Sequence, residues 1–132
     1  MTVLLDTHIL LYWFGTDHRL LVAQRDVLRQ ASPAAPLWIS EISLWEIATL
    51  YTLGRITLHL PLRDWLEAAT APPLLQRLGI SPAVAAAVAT LPASFHRDPA
   101  DRIIVASAQV LGATLLTRDQ RILEAALVPT LV

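Results

Sequence analysis

The chain contains no cysteine and no lysine, so all 10 of its basic residues are arginine. The first absence excludes a disulfide framework and a thiolate metal site, and it is compatible with a reducing cytoplasm. The second excludes any mechanism that needs an amine side chain. Charge is scarce as well. Charged residues make up 16% of the chain and the net charge is −1, which argues against a generic polyanion-binding surface. No run of about 20 apolar residues offers a membrane span. The opening "MTVLLDTHILLYWF" reaches Asp6 too early for a signal peptide and lacks its basic start. Neither GxxxxGK nor GxGxxG occurs, so the glycine-rich nucleotide-binding loops are missing too.

Apolar residues are what the chain has in plenty. They reach 55%, above the roughly 45–50% of ordinary globular chains. Because they come in short runs, the excess points to a face covered by another chain. A length of 132 residues fits one domain, residues 1–132, able to bury a core without staples.

Along the chain, short apolar runs alternate with helical patterns. "TVLL" reads as a buried strand, and "THILLYWFG" as a helix stopped near Gly15. "HRLLVAQRDVLRQA" is amphipathic, with Leu20, Leu21, Ala23, Val27 and Leu28 on one side. "APLWIS" is a strand, followed by a helix over "SEISLWEIATLYTLG" with Ser40 as N-cap and Gly54 just past its end. "LPLRDWLEAAT" is helical and "PLLQRLGI" holds a short strand. Ser81–Pro82 and Asp98–Pro99 each open a helix with a cap and a proline at the first helical position. "ATLLT", "RDQRILEAA" and "VPTLV" complete the chain as strand, helix and edge strand. Such alternation predicts an α/β fold, a parallel sheet with helices on both faces.

In a parallel sheet, function gathers beyond the carboxyl ends of the strands. Asp6 follows "TVLL" directly, and Asp119 follows "ATLLT" by one residue. Glu46 lies on the second turn of the helix after "PLWIS", and Asp101 on the first turn opened by Asp98. Each has a plainer reading. Asp6, Asp98 and Asp119 can cap helices, and Asp101 sits where the helix dipole favours a carboxylate. Glu46 is harder to dismiss, because Ile42, Leu50, Trp45 and Ile47 surround it and an isolated carboxylate in apolar surroundings is costly. Two charges 4 Å apart repel by about 4 kcal/mol at an effective dielectric near 20. Four converging carboxylates therefore need protons, arginines or a cation. All-oxygen ligation selects Mg²⁺ or Mn²⁺ over zinc.

"LLDTHILLYW", "ISEISLWEIA", "HRDPADRIIVASA" and "LLTRDQRI" together resemble, in order and over essentially the whole chain, the PIN-domain nucleases, and within them the VapC-type toxins of bacterial toxin–antitoxin pairs. The resemblance implies a three-layer α/β/α fold and metal-dependent endonucleolytic cleavage of RNA. It makes Asp6, Glu46, Asp101 and Asp119 the catalytic acids, with Asp6, Asp101 and Asp119 on the metal. Thr117 matches a hydroxylic position that orients a water or phosphate. Asp98 supports as a helix cap beside the metal, and Arg102, with Arg97, Arg118 and Arg121, neutralises the cluster or contacts phosphate. His8 and His96 are read as hydrogen-bonding neighbours, while His18 and His59 have no acidic constellation around them. Trp38 is assigned to the core. The family implies an antitoxin in an apolar groove near Leu50, Tyr51, Leu53 and Trp65, and a homodimer.

Rival readings differ in class. A phospho-receiver domain also gathers acids at strand ends but needs a lysine. A DNA flap nuclease needs more helical apparatus than this length provides. A PIN-like module that binds RNA or protein without cutting survives, and metal-dependent activity separates it from a nuclease.

Overall fold

The computed structural model describes residues 1–15 and 19–132. In chain order the elements are β1 (Val3–Leu5), α1 (Thr7–Phe14), α2 (Val22–Arg29) and β2 (Leu37–Ser40). Next come α3 (Glu41–Thr52), α4 (Leu62–Ala69), β3 (Leu75–Leu78) and α5 (Pro82–Thr90). The chain closes with α6 (Pro99–Leu111), β4 (Thr114–Leu116), α7 (Gln120–Ala125) and β5 (Thr130–Leu131).

The strands pair in the order β3-β2-β1-β4-β5, every pair parallel. Successive side chains leave a strand on opposite faces, and the core divides accordingly. Val3, Leu5, Leu37, Ile39 and Leu116 point into one apolar cluster, with Ile9, Leu10, Leu28, Ile47 and Trp65. Leu4 and Leu115 point into a second, with Ile104, Val105, Ala108 and Ile122. Helices α1, α2 and α4 thus cover one face, and α6 and α7 the other, with α5 packed along α6. A sheet covered on both sides needs apolar residues at nearly every strand position, which is why the central strands read as apolar runs, while the edge strand β3 carries Gln76 and Arg77. Trp38 is half-buried against the second cluster. Among the described residues no helix is long and apolar enough to cross a membrane.

Helix ends follow the expected grammar. Ser40, Ser81 and Asp98 accept backbone N–H groups at the starts of α3, α5 and α6. Gly54 and Gly112 carry positive φ angles of 72° and 62° just past α3 and α6. The second helix departs from expectation. It begins at Val22 rather than near His18, which lies outside the described residues, and Ala23 faces solvent. The inward position belongs to Gln24, fully buried, whose amide donates to the carbonyls of Thr117 and Leu131 at 3.0 Å each. A polar residue buried by such distant hydrogen bonds breaks the apolar periodicity.

Candidate functional site

Parallel pairing of β1, β2 and β4 brings their carboxyl ends to one edge, and α6 packs there against β2 and β4. Asp6 is the first residue beyond β1 and is buried. Its Oδ1 accepts the Thr7 N–H at 2.8 Å, and its Oδ2 accepts the Thr117 hydroxyl at 2.7 Å. Thr117, the residue after β4, accepts the Asp119 N–H at 3.0 Å. One hydroxyl therefore ties together the acids that follow the two central strands. Asp119 itself caps α7, its Oδ1 accepting from Arg121 and Ile122 at 2.8 and 3.3 Å.

The tightest grouping among the described residues is Glu46, Asp98 and Asp101, whose carboxylate oxygens lie within 4.8 Å of one another. Asp98 is both things at once, since its Oδ1 also accepts the Asp101 N–H at 3.1 Å as helix cap. Asp6 and Asp119 stand beside this triplet rather than in it. Their oxygens are already turned toward Thr7, Thr117 and the start of α7. The set expected on the metal from sequence, Asp6, Asp101 and Asp119, thus shares an edge, while the close triplet adds Glu46 and Asp98 around Asp101.

Electrostatics agree with that picture. Burial pushes the Asp101 carboxyl up to about 8, and the carboxylates of Asp6, Asp98, Asp119 and Glu46 all push the same way. Burial also raises Asp6 and Glu46, opposed by the hydroxyls of Thr117 and Thr7 respectively. Asp119 goes the other way. Burial raises it, but hydrogen bonds from Ile122 and Arg121 outweigh that and bring it below the usual carboxylate range. Carboxylates raised by burial, and further by the charges of their neighbours, are ones a hard cation would relieve. With oxygen donors only, the residues present fit Mg²⁺ or Mn²⁺.

The arginines separate. Arg121 reaches Asp119 at 3.4 Å and Asp101 at 3.9 Å. Arg102 turns away from the carboxylates and donates to the carbonyls of Phe95 and His96 at 3.0 and 3.2 Å, over the Phe95 ring. Its support is to the loop that carries His96 and Asp98, because those carbonyls lie nearer than any carboxylate. Arg118 donates to the Arg19 carbonyl, and Arg97 is exposed. His96, expected as a neighbour of the acids, places its Nε2 3.2 Å from Asp101 Oδ2 without a hydrogen bond. His8 is exposed in a separate cleft of about 490 Å³ that Leu50 and Trp65 also line. Tyr51 and Leu53 lie outside that cleft's lining, and Trp65 is 3% exposed, so the expected groove residues divide between cleft, core and open surface.

The PIN-domain family model matches residues 3–127. The chain belongs to the PIN-domain family. Within it, this PIN-domain protein is VapC-like, being 38% identical over 121 residues to Ribonuclease VapC22 of Mycobacterium tuberculosis, covering 92% of this chain and 89% of that one. The fold is shared with VapBC2 from Rickettsia felis, solved on a promoter DNA fragment, at a TM-score of 0.73 and 17% identity over 99% of this chain and 98% of that one. FitAcB from Neisseria gonorrhoeae superposes at 0.71 with 20% identity, covering 99% and 97%. A toxin–antitoxin complex from Klebsiella pneumoniae gives 0.66, again at 20% identity, with the same coverage.

Proposed function

We propose that this PIN-domain protein is an Mg²⁺- or Mn²⁺-dependent endoribonuclease, acting in the cytoplasm as the toxin of a toxin–antitoxin pair. The observation that carries the reading is the gathering of Asp6, Glu46, Asp98, Asp101 and Asp119 at one sheet edge, with Asp101 pushed to about 8 by its neighbours and its burial. The likeness to a named ribonuclease supports RNA as substrate. The toxin–antitoxin neighbours support a protein partner.

Asp6, Asp101 and Asp119 would furnish oxygens to the ion, with Glu46 and Asp98 close enough to Asp101 to complete the set. A bound ion supplies acidification of water and neutralisation of phosphodiester charge. The chain's own residues do the positioning. Thr117 locks one oxygen of Asp6 and the backbone of Asp119. Arg121, beside the cluster, offers a planar fork suited to a phosphate. In cleavage the P–O3′ bond breaks and the attacking water's oxygen stays on phosphorus. The cleft bearing Leu11, Tyr12, Phe14, Leu50 and Trp65 is the place for an antitoxin helix, and two copies of the chain pair.

The deciding experiment incubates purified, partner-free protein with total cellular RNA, with Mg²⁺, with Mn²⁺ and with chelator, beside Asp6→Ala. Discrete cleavage that needs both metal and Asp6 is expected. Cleavage at the wild-type rate by Asp6→Ala would overturn the assignment of the site, whereas neither cleavage nor metal binding would overturn the nuclease reading and leave a binding module.

A further inference from the structure

The carboxylates leave a neighbouring hollow unexplained. A cavity of about 380 Å³ opens beside them, between the loop carrying Phe95 and His96 and one face of α7. Its volume lies in the range of roughly 300–1,000 Å³ usual for small-ligand sites. Arg121, Glu124 and Ala125, at i, i+3 and i+4, supply the helical wall, with Leu127 beyond. Two of its wall residues also belong to the acidic site. His96 touches Asp101 at 3.2 Å, and Arg121 spans Asp119 and Asp101 at 3.4 and 3.9 Å.

We propose that this cavity seats the base of the nucleotide next to the cleaved phosphodiester, and that Glu124 selects a base presenting an amino group. The inference rests on the ribonuclease reading above. Ala125 and Leu127, with the little of Phe95 left outside the core, form its apolar wall, and bases splayed from single-stranded RNA are the usual target of sequence-reading proteins. Arg121, with its side chain 61% exposed, stands where base and phosphate meet, and its guanidinium suits either. Glu124 is exposed on the cavity wall, and the hydrogen bond from Gln120 occupies only its Oε1. An ionised carboxylate accepts and does not donate. It therefore favours the exocyclic amines of cytosine, adenine and guanine over uracil, whose one donor, N3–H, is flanked by two carbonyls that repel a carboxylate.

Two measurements test this. In the first, wild type, Glu124→Gln and Ala125→Trp cut a pool of single-stranded RNA with randomised positions in Mn²⁺, and the new ends are sequenced. At one position adjoining the cut, wild type should disfavour uracil by about fivefold or more, and Glu124→Gln should erase most of that ratio. In the second, fluorescence anisotropy follows binding of labelled members of the pool to Asp6→Ala protein in chelator. Adding Ala125→Trp should weaken binding by about fivefold or more, the scale of one lost stacking contact. Cleavage with no base preference beside the cut, or a preference that neither variant alters, overturns the cavity reading and leaves the nuclease standing. If wild type cuts no RNA, the nuclease reading falls. The binding measurement then decides the cavity alone, and an affinity unchanged by Ala125→Trp overturns it.

Discussion

At the scale of single residues, Thr117 carries an unusual share of the site. Its hydroxyl donates to Asp6 at 2.7 Å while accepting from the Asp119 backbone at 3.0 Å. Thr117→Val keeps the shape and loses both bonds. Partners that orient metal-binding carboxylates are typically worth about 10–100-fold in metal affinity or activity, so a loss of that size is expected in Mn²⁺ titration and RNA cleavage, with Thr117→Ser recovering most of it. Asp101 makes a second prediction. Its carboxyl lies near 8 in the fold against 3.8 unperturbed, because of burial and then of Asp6, Asp98, Asp119 and Glu46. A raised carboxyl holds its proton more tightly when folded. Its stabilising contribution is thus complete below about pH 3.8 and is lost as pH rises through 8. Metal-free protein should melt at lower temperature at pH 8 than at pH 5, Asp101→Asn should flatten that slope, and added Mg²⁺ should raise Tm more at pH 8, where protons compete less. Asp6 and Asp119 were legible in the sequence because strand ends announce themselves. The place of Asp98 in the oxygen triplet, and the approach of His96 to Asp101, were not, since both depend on how one loop returns to the sheet edge.

Among the elements, α6 shows that a helix can organise a site from its own first turn. Asp98 caps it, Asp101 follows one turn on, and Arg102 reaches back to hold the carbonyls of Phe95 and His96. Arg102→Met removes those charge-assisted bonds and should destabilise the fold by about 1–3 kcal/mol, measurable by denaturant titration. Both bonds come from one nitrogen, so Arg102→Lys, whose ammonium can donate twice, should recover part of the loss. The Asp–Pro start and glycine stop of α6 were readable residue by residue. The start of α2 was not. Leu21 offers no capping side chain, and Gln24 takes the inward position through bonds to Thr117 and Leu131, more than 90 residues away in sequence. Apolar periodicity is blind to a buried amide whose partners are that distant.

Over the whole molecule, parallel strands with both faces covered were legible, because the central strands β1, β2 and β4 are mostly apolar and helices separate them. The residues expected at an antitoxin groove do not share one surface. Leu50 and Trp65 line the cleft, whereas Tyr51 and Leu53 point elsewhere, and an apolar residue does not reveal from sequence which neighbour it serves. Phe14, 38% exposed on that cleft, is the better probe. Phe14→Glu should leave RNA cleavage and Tm nearly unchanged yet weaken the complex with the cognate antitoxin by tenfold or more, on the order of 1.4 kcal/mol, read by titration calorimetry. The strand order has its own consequence. β1, made first, lies in the middle of the sheet between β2 and β4, and the acids come from residue 6 through residue 119. An unfinished polypeptide therefore cannot assemble the edge on which they meet. The proposed nuclease gains its full set of acids only once residue 119 of 132 has been added.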